Sequence, residues 1–306
     1  MKKLIFSLLA IVQFSGSIMA QQSFKDDRIT QTEPKSINLK DIPTLPPARE
    51  VSGSPYRTKF AIDGPAAIVG VGVNALGLYL IQENKHGVSD EELKAIDSDI
   101  EAAKNKINSF DRFSAGWYSL DAKKASDYPF YGSFAAPLLL LFDKDISKKA
   151  GQVGVIYVET MALTGALFTM SVAHVERNRP LVYDEDAKND PDHERNKKHA
   201  QNSFFAGHTA AAASATFFAA KVFHDFNPDS GMRPVVWGVA AAVPAAVGYL
   251  RLKAGKHFLS DNILGYFIGA GSGILVPQLH KSGLMDGVSI VPVAGPYNGL
   301  AATITF

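Results

Sequence analysis

The sequence predicts an all-α protein, a bundle of about six core helices followed by a short C-terminal β-hairpin. Three observations predict it. Apolar stretches rich in Ala, Gly and Leu cover roughly 64–81, 129–142, 151–173, 204–223, 234–250 and 262–279. Most are long enough for helices and too long for ordinary strands. Alternating residues bounded by turn signals occur only after residue 283.

The chain divides into four expected parts. Residues 1–20 have the form of an export leader: basic Lys2 and Lys3, an apolar run from Leu4 to Val12, and Ala20 as a cleavage site. Residues 21–59 are polar, contain Pro34, Pro43, Pro46, Pro47 and Pro55, and read as an extended arm. Residues 60–282 hold the helical domain. Within it, Ser89 and Glu92 have capping-box spacing, and Leu93, Ile96, Ile100, Ile107 and Phe110 follow at helical intervals, which predicts one amphipathic scaffold helix. Residues 283–306 form the tail, where Val288–Val293 and Leu300–Phe306 flank Ala294-Gly295-Pro296 and Asn298-Gly299. Two strands cannot close a membrane barrel, so a hairpin packed on the bundle is expected.

Composition narrows the function. The 306 residues are 46% hydrophobic and 20% charged, with a net charge of +1, which gives no footprint for nucleic acid. There is no cysteine, so disulfides and thiolate chemistry are excluded. A spanning helix needs about 20 apolar residues. The stretch at 129–142 is too short, and Glu159 interrupts the third. If the leader is cleaved and all six stretches span, the connection after the third falls in the cytoplasm. An integral bundle and a soluble or peripheral one, both in the bacterial cell envelope and facing the periplasm, are therefore both open.

Three segments carry chemistry. Arg177-Asn178-Arg179-Pro180 follows the third apolar stretch. Ser203-Phe204-Phe205-Ala206-Gly207-His208-Thr209 opens the fourth. The third segment runs from Arg251 through His257 to Asp261. Arg179 and Arg251, with Arg177 as a third, offer planar forks matched to phosphate oxygens. Gly207, at a helix start, allows close backbone approach to an anion. His257 and Asp261, spaced i, i+4, are expected on one helical face, the carboxylate holding one ring nitrogen so that the other attacks phosphorus. His208 can protonate the leaving oxygen and later activate water.

Order and spacing together resemble the signature of the type 2 phosphatidic acid phosphatase superfamily, which includes bacterial acid phosphatases and vanadium haloperoxidases. Its pattern is a Lys, six residues, Arg-Pro; then Pro-Ser-Gly-His; then Ser-Arg, five residues, His, three residues, Asp. The match covers roughly 172–261. Val172 replaces the Lys, Phe205-Ala206 the Pro-Ser and Leu250 the last Ser, so one cation and one hydroxyl donor are missing. Arg177 is the expected replacement for the charge, with His174 second.

The resemblance implies a bundle with its active site at one end and a phosphohistidine on His257, with no metal and no cofactor. His208 would be acid then base, Asp261 would orient His257, and Arg179, Arg251, Arg177 and Gly207 would hold phosphate. The substrate would be a phosphorylated lipid (a phosphatidate, polyprenyl diphosphate or lipid A phosphate) or a small phosphomonoester. A haloperoxidase, a non-catalytic phospholipid binder and a structural outer-membrane protein are the rival readings. Asp184, Asp186, Asn189, Asp190 and Asp192 read as a solvated acidic loop, His193 and His199 as exposed, His86, His224 and His280 as lacking metal-ligand spacing, and Trp117 and Trp237 as packing residues.

Overall fold

The computed structural model describes residues 53–186, 194–281, 288–293 and 299–304. The expected leader, most of the expected arm and residues 187–193 of the acidic loop lie outside them. The described residues form α1 (Phe60–Asn84), α2 (Asp90–Ser98), α3 (Ile100–Asn105), α4 (Leu120–Ser133), α5 (Ala136–Leu139), α6 (Lys144–Ser147), α7 (Ala150–His174), α8 (Gly207–Phe226), α9 (Arg233–Lys253) and α10 (Leu259–Leu279). Two strands, β1 (Val288–Val293) and β2 (Gly299–Ile304), pair antiparallel with Val288 opposite Ile304. Whether this pair rests on the bundle falls outside what is described.

α8 is the central helix, packed by α10, α9, α7 and α4. Its run of alanines leaves little side-chain bulk, and α10 exploits this with glycines one turn apart. Gly265, Gly269 and Gly273 lie against Ala206, Ala210 and Ser214, and a Cβ on Gly269 would stand 2.0 Å from the Ala210 carbonyl oxygen. The pairing increases in step along both chains, so α8 and α10 run parallel with their N-termini side by side. α1 runs parallel to α7 in the same way: Gly70 faces Ala162, Gly77 faces Thr169, and Asn84 donates to the Ala173 carbonyl at 3.0 Å.

The remaining helices return the chain. Thr216 donates to the Ala240 carbonyl (2.9 Å), while Gly248 lies against Thr209 and Asn262, so α9 is antiparallel to α8. α4 starts beside Glu194, and the chain reaches the other end of α8 by Asp143, which accepts from Asn227 at 2.9 Å. All connections named in the three sequence segments therefore gather at one end of the bundle. Residues 53–59, 143–149 and 227–232 gather at the other.

Two expected elements differ. The predicted amphipathic helix is broken: Ser89 caps α2 through the Glu92 N–H (3.1 Å), but Asp99 leaves the helical region and caps α3 through the Ala102 N–H (2.9 Å). An Asp beside a Ser offers its own acceptor to the backbone, which favours a new cap over continuation. Leu93, Ile96 and Ile100 still pack under Leu181 and Val182 as a scaffold should. The stretch 129–142 is split among α4, α5 and a 3-10 turn at Leu140–Phe142.

The outside of the bundle is apolar. Ile68, Val69, Tyr79, Tyr128, Leu138 and Phe142 are all exposed. α1, α7, α9 and α10 are long and apolar enough to cross a membrane.

Candidate active site

The parallel pair of α8 and α10 brings two helix N-termini to one place, where unpaired N–H groups and both dipoles favour anions. Gly207 is the first residue of α8 and His208 the second. The Phe168 ring lies over Gly207, where a Cβ would meet it at 2.5 Å. His208 stacks on Phe130 with ring centroids 4.3 Å apart. Arg251 stands in the last turn of α9, and Arg179 at the head of a 3-10 turn, Pro180–Tyr183, held by its own N–H to the Ala200 carbonyl (2.8 Å).

His257 corrects the helical-face expectation. It lies before α10, whose N-cap is Phe258. It is buried, and its Nδ1 stands 2.7 Å from the carbonyl oxygen of Ser203. A carbonyl only accepts, so Nδ1 carries the proton and Nε2 is left with its lone pair when the ring is neutral. Burial first, then the Arg179 and Arg251 charges, push the His257 pKa well below its ordinary value. The ring is therefore a neutral imidazole at physiological pH, held by a backbone carbonyl where a carboxylate was expected.

Asp261 acts on the surroundings of that ring instead. Its Oδ2 accepts from Ser203 Oγ (2.6 Å) and from the Phe258 N–H (2.9 Å). It thus fixes the residue whose carbonyl holds His257 and the residue that follows His257.

Arg177 also departs from expectation. One terminal nitrogen pairs with Asp261 and donates to Ser260 Oγ at 3.1 Å; the other is 2.7 Å from Asp111. The guanidinium further lies 4.7 Å over the Phe258 ring. With both terminal nitrogens engaged by buried carboxylates, it braces the start of α10 and is not left to hold phosphate. Asp111 completes this brace. Burial alone would raise its pKa, but Ser260, Asn108 and Arg177 hold it below the usual carboxylate range.

Arg179 and Arg251 make no ion pair among the described residues, although Asp261 attracts the first and Asp127 the second. The Nε of each is buried without a hydrogen-bond partner. Their described side-chain bonds are long ones, from Arg179 to the Asn202 carbonyl (3.4 Å) and from Arg251 to Ser126 Oγ (3.5 Å). Burial, then Arg251, lower the Arg179 pKa to about 9. The same two charges, after burial, take His208 to about 3. Arg179, Arg251, His208 and His257 sense one another electrostatically, which marks one compact site.

Sequence reading missed Lys256, Lys123 and Glu194. Lys256 is buried, pairs with Glu194, and is brought to about 7 by burial, Arg179 and Lys123. Glu194 also holds Lys123 (2.9 Å) and His199 (3.2 Å). His199, expected to be exposed, keeps 43% of its side chain exposed, and partial burial and then Arg179 lower its pKa to about 4. Adjacency of Lys256 to His257 was the one signal in the sequence. Val172 and Ala206, which stand where the resemblance has Lys and Ser, are buried.

A cavity of about 550 Å³ opens beside Gly207 and His208, lined by Val71, Phe130, Tyr157, Met161 and Phe168 among others.

Comparison with known proteins supplies one match. Residues 153–283 fit the family model described as the PAP2 superfamily. A search of curated proteins and a search of solved structures each found no match. The matched residues hold most of α7, all of α8 to α10 and each of the three sequence segments, and the match supports the type 2 phosphatidic acid phosphatase superfamily.

Proposed function

We propose that this protein is a phosphatase that hydrolyses a phosphomonoester or diphosphate of a lipid through a phosphohistidine at His257. One observation carries the reading. Two arginines with buried, unpartnered Nε atoms act on a neutral histidine whose Nε2 is free. Buried charge without a partner is costly, and a phosphate dianion supplies the missing acceptors.

The Nε2 lone pair of His257 attacks phosphorus, and the bond to the leaving oxygen breaks as His208 donates its proton. Water then attacks the phosphorus–nitrogen bond while His208 takes a proton, which releases inorganic phosphate and neutral His257. His208 must be protonated for the first step, although its pKa is about 3. Bound dianion offsets the arginine charges and raises it. Arg179 and Arg251 hold the equatorial oxygens, Lys256 replaces the cation lost at Val172, and the N–H groups opening α8 add donors. Asp261, Arg177 and Asp111 are positioning residues.

The apolar cavity beside His208 supports a lipid substrate, since it gives an acyl or isoprenoid chain a place next to the scissile bond. The apolar exterior supports a bundle embedded in the membrane, and a site end facing the periplasm is part of this proposal. In this placement the chain enters α1 from the cytoplasmic side.

The test of function is phosphate release by the full chain in detergent on phosphatidate and on p-nitrophenyl phosphate. Turnover of both with phosphatidate preferred is expected. Binding of phosphatidate without turnover, or vanadate-dependent bromination in place of hydrolysis, would overturn the reading.

A further inference from the structure

At the opposite end of the bundle, Asp63 from the first turn of α1, Glu159 from α7 and His280 just beyond α10 converge. Asp261 and His280 stand near opposite ends of α10, so this cluster is about 28 Å from the candidate active site at 1.5 Å per residue. We propose that Asp63, Glu159 and His280 form a structural site for a divalent cation of the zinc type, tying the ends of α1, α7 and α10 together.

One ligand atom from each residue lies within 4.8 Å of the other two. His280 Nε2 is 3.0 Å from Glu159 Oε2 and 3.5 Å from Asp63 Oδ1. Ligand atoms about 2.0–2.2 Å from a tetrahedral zinc stand roughly 3.3–3.6 Å apart, close to these separations. The imidazole is oriented as a ligand. Its Nδ1 is 2.8 Å from the Val276 carbonyl oxygen, so Nδ1 holds a proton and Nε2 faces the two carboxylates. A second-sphere carbonyl on the far nitrogen is the usual support of a metal-bound histidine. Asp63 is oriented in turn, its Oδ2 accepting the Lys59 N–H at 2.5 Å.

A second, independent observation points to a ligand. The Glu159 side chain is only 9% exposed, and its Oε1 is buried with no hydrogen-bond partner. An imidazolium could satisfy Oε2 but would leave Oε1 without a partner. A divalent cation neutralises both carboxylates and takes up Oε1 as a further donor, which suits a mixed nitrogen and carboxylate set. The site closes the end where Arg57 donates its N–H to the His280 carbonyl (2.8 Å) and Tyr56 bridges Lys281. The sequence concealed this because the three residues lie on helices far apart along the chain.

The test uses the full chain in detergent without a histidine tag, stripped with chelator, incubated with Zn²⁺, desalted and measured by elemental mass spectrometry. About one zinc per chain is expected, with a melting temperature raised by roughly 5 °C or more. Glu159→Gln and His280→Gln should abolish both effects, while His208→Gln should abolish neither. Wild type that retains under about one tenth of an equivalent with no thermal shift would overturn the proposal. So would equal retention by the folded Glu159→Gln and His280→Gln proteins. Phosphate release is measured separately, so its failure leaves this site standing and the converse holds.

Discussion

Replacing Arg179 by methionine should make the protein more stable and at least about 10-fold less active. Arg179 keeps a buried Nε without a partner and lies close enough to Arg251 for each charge to oppose the other. An unsatisfied buried donor costs about 1–3 kcal/mol. Methionine has a similar length and fills the space without that penalty. A gain of about 1–2 kcal/mol is expected, which for a domain of this size raises the melting temperature by roughly 2–8 °C. The same change removes one charge-assisted fork from the phosphate, worth about 1.5–3 kcal/mol in the transition state, so kcat/KM should fall roughly 10–150-fold. Thermal denaturation and phosphate release on one preparation read both numbers. Inorganic phosphate should stabilise wild type more than the variant. A variant that is less stable and hydrolyses at the wild-type rate would refute the assignment of Arg179 as an anion-binding cation.

Other consequences follow from the same structure. Gly269→Ala forces a methyl against the rigid Ala210 carbonyl and should cost about 1–3 kcal/mol with loss of phosphate release, whereas Gly271→Ala, with nothing within 4 Å, should stabilise by about 0.5–1 kcal/mol; paired denaturation curves check this. His208 is neutral when folded down to about pH 3 but protonates near 6.5 when unfolded. The unfolded state therefore binds more protons across that window, and stability should fall by up to about 1.4 kcal/mol per pH unit below 6.5, less steeply in His208→Gln and in saturating phosphate. Lys256→Met should lower kcat/KM for phosphoester about 10-fold or more without unfolding the protein, as circular dichroism verifies.

Much of this architecture was legible because small-residue helices announce themselves as apolar runs, and because Arg179, Gly207, His208, Arg251 and His257 keep the order and spacing of the family pattern. The geometry within the site was not legible. His257 is held by the carbonyl of Ser203, and a backbone carbonyl has no sequence signature. Arg177 was assigned to phosphate for its nearness to the position that lacks a Lys; in the fold Asp111 and Asp261 engage it. Lys256 went unread because nothing local in the sequence marks the burial that the fold imposes on it. The break at Asp99 depended on a local cap that competes with periodicity.

The central claim is that His257 Nε2 forms a covalent bond to phosphorus. Brief incubation with labelled phosphatidate, an alkaline quench and mass spectrometry of the peptides test it most directly. Phosphate on His257 in wild type, with both label and turnover gone in folded His257→Ala, is the predicted result. Label on another residue, or turnover that persists in His257→Ala, would contradict it.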